Sequence, residues 1–426
     1  MKTHEVFGIK PELTDYSYVD RGSLDREFRR LMERKQSHVA IRGASKAGKS
    51  WLRQRVLTDP IIVQCRLGYS PIDIYRDALA RLDIQLEAER TSTNAFKGKA
   101  TAKGEAGFKL LAKVTGEAEL QGEHKTETTT HAVGKDINDL EFIASFIRES
   151  GRTLVIEDFH YLAVDQQRLV AFDLKTLWDY KTFVVVVGVW TSQNMLISLN
   201  SDLASRIEEI NVTWQAQELK EVFRKGCNRL NLIPSAPVLD LLADISYESV
   251  GLLQTLALRY LDVEKRIEDA APEGSPIKID DVAAVVDAAM HVAEQQNQLY
   301  QSFATRVCDG IRKRQRSTGI YARAMAAIMS APDPDLVSGL SAREIYAITH
   351  KQEPRIQFGN LKTVLARFPE LQVDDGGRGL VLAYDPLAEL ISVVDKQLLL
   401  YRRYATVKWP WEDLVTEVAR NADAYE

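Results

Sequence analysis

The chain has 426 residues, 45% of them hydrophobic and 27% charged, which predicts two or three domains with sizeable cores. Its net charge of −5 excludes a global field that draws the whole molecule onto nucleic acid or an anionic membrane, so any such contact has to come from a local patch. Three scattered cysteines, Cys65, Cys227 and Cys308, argue against a disulfide scaffold and lack paired metal spacing; with no apolar leader at the N-terminus, they lead us to expect a cytoplasmic protein.

In chain order, residues 1–17 form an extension. SHVAIRG (37–43) is a short apolar strand running into a Gly- and Lys-rich turn, and WLRQRVL continues as a helix. IIVQCRL (61–67) is a second strand, followed by a helix with Pro71 in its first turn. TLVIED (153–158) and TFVVVVGVW (182–190) are continuous apolar runs that suit parallel strands covered on both faces. Strands alternating with helices predict an α/β domain over 18–214. Within it the pattern breaks over about 91–135, which reads either as a solvated insertion or as a β-hairpin arm pairing KLLAKV with EAELQ around Thr115-Gly116. Residues 215–300 are helical, broken at PEGSP (272–276). Over 301–426, SAREIYAITH opens on a capping box, Ser341 with Glu344. Pro354 stands ahead of the helix RIQFGNLKTVLARF, which Pro369 ends, and LQV-DDGGRG-LVLAY reads as a hairpin. Three helices and a hairpin form the pattern of a winged helix-turn-helix.

The chemistry is concentrated in GASKAGKS, which fits G-x-x-x-x-G-K-[ST] at every fixed position: Gly43, Ala44, Ser45, Lys46, Ala47, Gly48, Lys49 and Ser50, with Trp51 following. Glycines let backbone N–H groups wrap a β-phosphate at a helix N-terminus. Lys49 then bridges β- and γ-phosphates, and the Ser50 hydroxyl ligates Mg²⁺. LVIED supplies the acidic half: Glu157 where a metal-side Asp is usual, and Asp158 where a Glu polarises the attacking water. The order is inverted. Because geometry sets rate steeply in positioned catalysis, slow ATP hydrolysis is expected. His160 is expected to pack or orient the strand end.

These motifs resemble the initiator/origin-recognition branch of AAA+ ATPases and their STAND-type relatives, with a lid similar to that of transposition-regulator ATPases. YVDRGSLDREFRRL resembles the box that packs on adenine, which implies that Tyr18, Val19 and Arg21 line the base pocket. GVWTS resembles the sensor-1 segment, with Thr191 in place of the usual Asn. DLASRIEEI resembles the segment carrying an arginine finger, which implies that Arg206 acts across a subunit interface; a surface pair with Glu208 or Glu209 is the alternative. Gln254 stands where a sensor-2 arginine is common.

IRKRQR (311–316) is the densest basic cluster, and the expected recognition helix offers Arg355, Gln357, Asn360, Lys362 and Arg367, with Arg378 at the wing tip. Ile356, Phe358, Leu361, Val364 and Leu365 are expected to face the core. Nearby acids nearly cancel the bases, so duplex DNA and a protein partner both remain open. The resemblance implies an α/β P-loop domain with a helical lid and a C-terminal winged helix. It further implies a homo-oligomeric switch ATPase using ATP and Mg²⁺ that recruits DNA or an effector protein, in mobile-element or phage-defence systems. The alternative is a nucleotide-gated docking module with negligible hydrolysis.

Overall fold

The computed structural model describes residues 1–21, 23–90, 96–115, 130–131, 139–190, 193–310, 318–372, 380–386 and 388–423. It falls into two bodies: a sheet body, Asp20–Gly43 and Lys49–Val212, and a lid body, Met1–Val19, Ala44–Gly48 and Thr213–Glu426.

The sheet body is built on five parallel strands: β1 (His38–Arg42), β2 (Ile61–Gln64), β3 (Leu154–Glu157), β4 (Val184–Val187) and β5 (Ile207–Asn211), in the order β2-β3-β4-β1-β5. The apolar runs form these strands because both faces are covered, and every residue of β1, β3 and β4 is buried. Its helices include α1 (Lys49–Val56), α2 (Leu140–Ser150) and α3 (Val164–Asp179). Ile143, Phe146, Leu154, Ile156 and Leu174 interlock in the main core. His38 is buried as a neutral ring: Nε2 lies 2.8 Å from the Leu174 carbonyl, while Nδ1 accepts from Val184 N–H at 2.9 Å. Burial pushes its pKa down to about 4.

The hairpin expected between KLLAKV and EAELQ is not formed: the antiparallel pairing is made by other segments, Ile84–Arg90 with Phe96–Ala102, and Thr130–His131 pairs on the other side of Phe96–Ala102. KLLAKV lies in a helix, Gly104–Thr115, and EAELQ falls outside the described residues. The stretch prefers the helix because Leu111 and its neighbours reach the core at helical spacing, and Lys109 pairs with Glu105 one turn away.

In the lid body, Ala216–Arg229, Ala236–Ile245, α4 (Val250–Leu258) and Val282–Gln295 surround Leu219, Phe223, Leu242, Leu256 and Val285. The N-terminal extension belongs to this core: the Phe7 ring packs 5.4 Å from that of Phe223, over Gly226, where a Cβ would stand 2.2 Å from Phe7. Farther on come helices Ile320–Ser330, Ala342–Gln352 and α5 (Phe358–Gln372), with a three-stranded sheet of Leu340–Ser341, Leu390–Val393 and Leu382–Asp385. The Ser341–Glu344 capping box forms as expected. Pro369 does not end the helix, and Leu371 and Gln372 lie in α5 rather than in a hairpin strand; residues 373–379, with the expected turn, fall outside the described residues. The buried Gln372 side chain accounts for the difference. Its Oε1 accepts from Val381 and Leu382 N–H and its amide donates to the Leu382 carbonyl, serving backbone groups a neighbouring strand would have paired, while a second amide bond to the Phe368 carbonyl ties it to α5.

Candidate nucleotide site

All five strands point their carboxyl ends the same way, and the chain order breaks between neighbours β4 and β1. Open α/β sheets bind ligands at that edge, beside such a break. The phosphate-loop sequence leaves β1 there, Glu157 ends β3 there, and β4 stands between them.

On the sheet body, Gly43 has φ 152°, and a Cβ on it would lie 2.6 Å from the Val212 carbonyl, so only glycine fits. Lys49 Nζ donates to the Gly43 carbonyl at 3.0 Å. Burial pulls its pKa down to about 8, against the attraction of Asp158 and then Glu157, so the three predicted groups act as one electrostatic cluster. Ser50 and Trp51 follow on α1, Ser50 exposed and Trp51 half-buried.

Glu157 is buried and engaged: Arg53 Nε donates to its Oε1 at 2.7 Å, with both side chains almost wholly enclosed. Asp158 takes φ +56°, opening a short turn over Phe159–Tyr161. Asp is several-fold enriched in that left-handed region, whereas most residues avoid it, so the inverted Glu-Asp order suits this backbone. Burial raises the Asp158 pKa, Glu157 adds to the rise, and Lys49 opposes it. His160 orients its surroundings as expected: Nδ1 accepts from Val189 N–H at 3.3 Å, tying the turn after β3 to the segment after β4. Burial, with Lys49 nearby, holds this ring's pKa at about 4.

On the lid body, residues Ala44–Gly48 are fastened to the lid and to the C-terminal region. Lys46 (φ 59°) offers its carbonyl to Gly251 N–H at 3.0 Å, the Ala47 carbonyl accepts from the Trp214 indole at 2.8 Å, and Ser45 N–H donates to the Val394 carbonyl at 3.4 Å. Tyr18 is buried with Val19 packed at the lid core, and the Tyr18 carbonyl accepts from Lys225 Nζ. Gln254, on α4, is a structural residue: it accepts from Gly8 N–H at 3.2 Å and donates to Ser17 Oγ at 2.9 Å.

Arg206 precedes β5 at the amino edge of the sheet, roughly 16 Å along a five-residue strand from the carboxyl edge. It pairs with neither glutamate. Glu208 accepts from Ser37, Glu209 pairs with Arg42, and Arg206 lies over the Trp178 ring at 4.8 Å while donating to the Asp202 carbonyl. Arg21 lies in the sheet body. Thr191, Arg378 and the cluster 311–316 fall outside the described residues. On and before α5, Ile356, Leu361, Val364 and Leu365 are buried as expected, Phe358 is half-buried, and Gln357, Asn360 and Arg367 are exposed. Arg355 is locked to Glu353 by two 2.8 Å bonds, and Lys362 to Glu389 at 2.6 Å. Hydrogen bonds from Arg355 hold the Glu353 carboxyl down at about 2.

Arg53, Trp214 and Gly251 do not stand out in the sequence. A signal exists for Arg53, which stands four residues after Lys49 on one helix face; the other two contacts join segments about 170 to 200 residues apart, which no local pattern encodes.

No protein-family model and no curated protein matches the chain. Among solved structures it is similar to the Aeropyrum pernix Orc1 protein in complex with DNA (12% identity, 96% of each chain, TM-score 0.38). A second is the Thermotoga maritima RuvB Holliday junction branch migration motor (12% identity, 91% of this chain and 96% of that one, TM-score 0.37). A third is a Pyrococcus horikoshii signal-transduction ATPase with numerous domains and a tetratricopeptide repeat sensor (11% identity, 96% of this chain and 45% of that one, TM-score 0.38). Likenesses this distant carry no activity across. No helix among the described residues is long and apolar enough to cross a membrane.

Proposed function

We propose that the chain is an AAA+-type switch ATPase that binds ATP with Mg²⁺, hydrolyses it slowly and changes its assembly or its partner with nucleotide state. The observation that carries this is that Lys49, at the start of α1, feels the charges of Asp158 and Glu157, at the end of β3, on one sheet body, while its Nζ is held at the Gly43 carbonyl. In this reading residues 43–50 cradle the phosphates, Lys49 spans β- and γ-phosphates, and Tyr18, Val19 and Arg21 approach the base. The hard oxygens of Ser50 and Glu157 suit Mg²⁺, although Glu157 already shares one oxygen with Arg53. When bound, the metal neutralises charge on the β- and γ-phosphates. Asp158, whose raised pKa suits a proton acceptor, positions water with Thr191. Arg206, at the opposite edge from its own phosphate loop, serves a neighbouring copy.

Light scattering with ATP–Mg²⁺, ADP or no nucleotide, beside turnover measured across protein concentrations, tests this. Assembly with ATP, per-subunit turnover that rises with concentration, and its loss in Asp158→Asn and Arg206→Ala are expected. A fixed mass with tight nucleotide and negligible turnover supports the docking module instead.

We read 301–426 as a winged helix that docks protein rather than duplex DNA, because Arg355 and Lys362 are already neutralised by Glu353 and Glu389. Changing both to alanine is expected to move duplex affinity by less than about threefold, with no change in its salt slope. A loss beyond tenfold, with a shallower slope, restores the DNA assignment.

A further inference from the structure

Glu157, read above as a metal-side carboxylate, already carries a cation of its own, Arg53. Lys49 feels Asp158 and Glu157, Arg53 pairs with Glu157 directly, and the neighbouring His160 is held neutral by burial. Arg53 is buried against Glu157, and a buried ion pair of this kind is weak evidence for a stabilising role, while loss of one partner leaves the other charge uncompensated. Its guanidinium fixes the longer side chain that the inverted motif places at the end of β3. It also supplies, from within the chain, positive charge beside a carboxylate that would otherwise repel a triphosphate.

We propose that Arg53 is a positioning residue that holds Glu157 as a resident counter-cation, so that the site retains nucleotide without Mg²⁺. This rests on the phosphate-loop reading and adds to it a metal-independent bound state. Arg53 itself touches no phosphate in this scheme; it acts through Glu157. Without Arg53, the Glu157 charge is uncompensated, and nucleotide binds well only when a divalent cation restores the balance.

The test is equilibrium binding of a fluorescent ATP analogue to the full chain in Mg²⁺ and in EDTA at constant ionic strength. Wild type, Arg53→Met, Arg53→Lys and the double variant Arg53→Met/Glu157→Gln are compared. Wild-type affinity is expected to change less than about fivefold between the buffers, and Arg53→Met to lose at least about twentyfold in EDTA while staying near wild type in Mg²⁺. Arg53→Lys recovers part of the metal independence. The double variant, which buries no unpaired charge, recovers it and carries the test if Arg53→Met fails to fold. Wild type that binds in Mg²⁺ but loses affinity in EDTA as steeply as Arg53→Met overturns this proposal alone. Wild type that binds in neither buffer overturns the phosphate-loop reading as well.

Discussion

Lys49→Ala is expected to lower ATP affinity at least about a hundredfold, close to 3 kcal/mol, because it deletes a loop cation held within reach of Gly43 and both carboxylates. The pH dependence separates this role from a structural one. Burial pulls the Lys49 pKa down to about 8, far below the usual lysine range. Below that value the ammonium is present and attracts phosphate; above it the amine is neutral and the attraction is lost. Wild-type affinity measured between pH 7 and 9.5 is therefore expected to fall as pH rises through about 8, approaching tenfold per unit. Lys49→Arg keeps its charge throughout and should show a flat profile over the same window. A flat wild-type profile would show that Lys49 does not meet the phosphates as a titrating cation.

Gly251→Ala is the second large effect. The glycine is the second residue of α4, where alanine favours the helix by at most the ~0.5–1 kcal/mol of an interior position. Here the added Cβ would stand 2.5 Å from Lys46 Cβ and 2.9 Å from the Lys46 carbonyl, and something has to shift. Overpacking of this kind costs about 1–3 kcal/mol, enough to outweigh the helix preference. Gly359→Ala, also in a helix but with open space around it, supplies the control and should be neutral or slightly stabilising. Thermal unfolding of the two variants side by side decides it: equal melting temperatures would mean that the close approach of α4 to Lys46 is not maintained in solution.

Local chemistry explains which parts were legible in the sequence. Runs such as LVIED and FVVVV announce buried parallel strands because burial on both faces leaves no alternation, and the loop motif stands out because its glycines and lysine serve one purpose at fixed spacing. The Ser341 capping box is likewise complete within four residues. Expectation and structure part where distant segments decide the conformation. KLLAKV is a helix because the core accepts Leu111 at helical spacing, and α5 passes through Pro369 because Gln372 serves the backbone of residues 381 and 382. In the site, Glu157 and Asp158 are legible as a pair, while the partner that holds Glu157 is not. That Arg53 shares the Lys49 face of α1 follows from its spacing, but that it meets Glu157 follows only once β3 lies beside that helix.

The Trp214 indole has an optical consequence. Its N–H bond to the Ala47 carbonyl couples a buried chromophore to the backbone of the phosphate loop. Under the proposed function, a rearrangement of that loop around a triphosphate would change the polarity felt by the ring, and the Trp214 contribution to the intrinsic emission would then report nucleotide without a label.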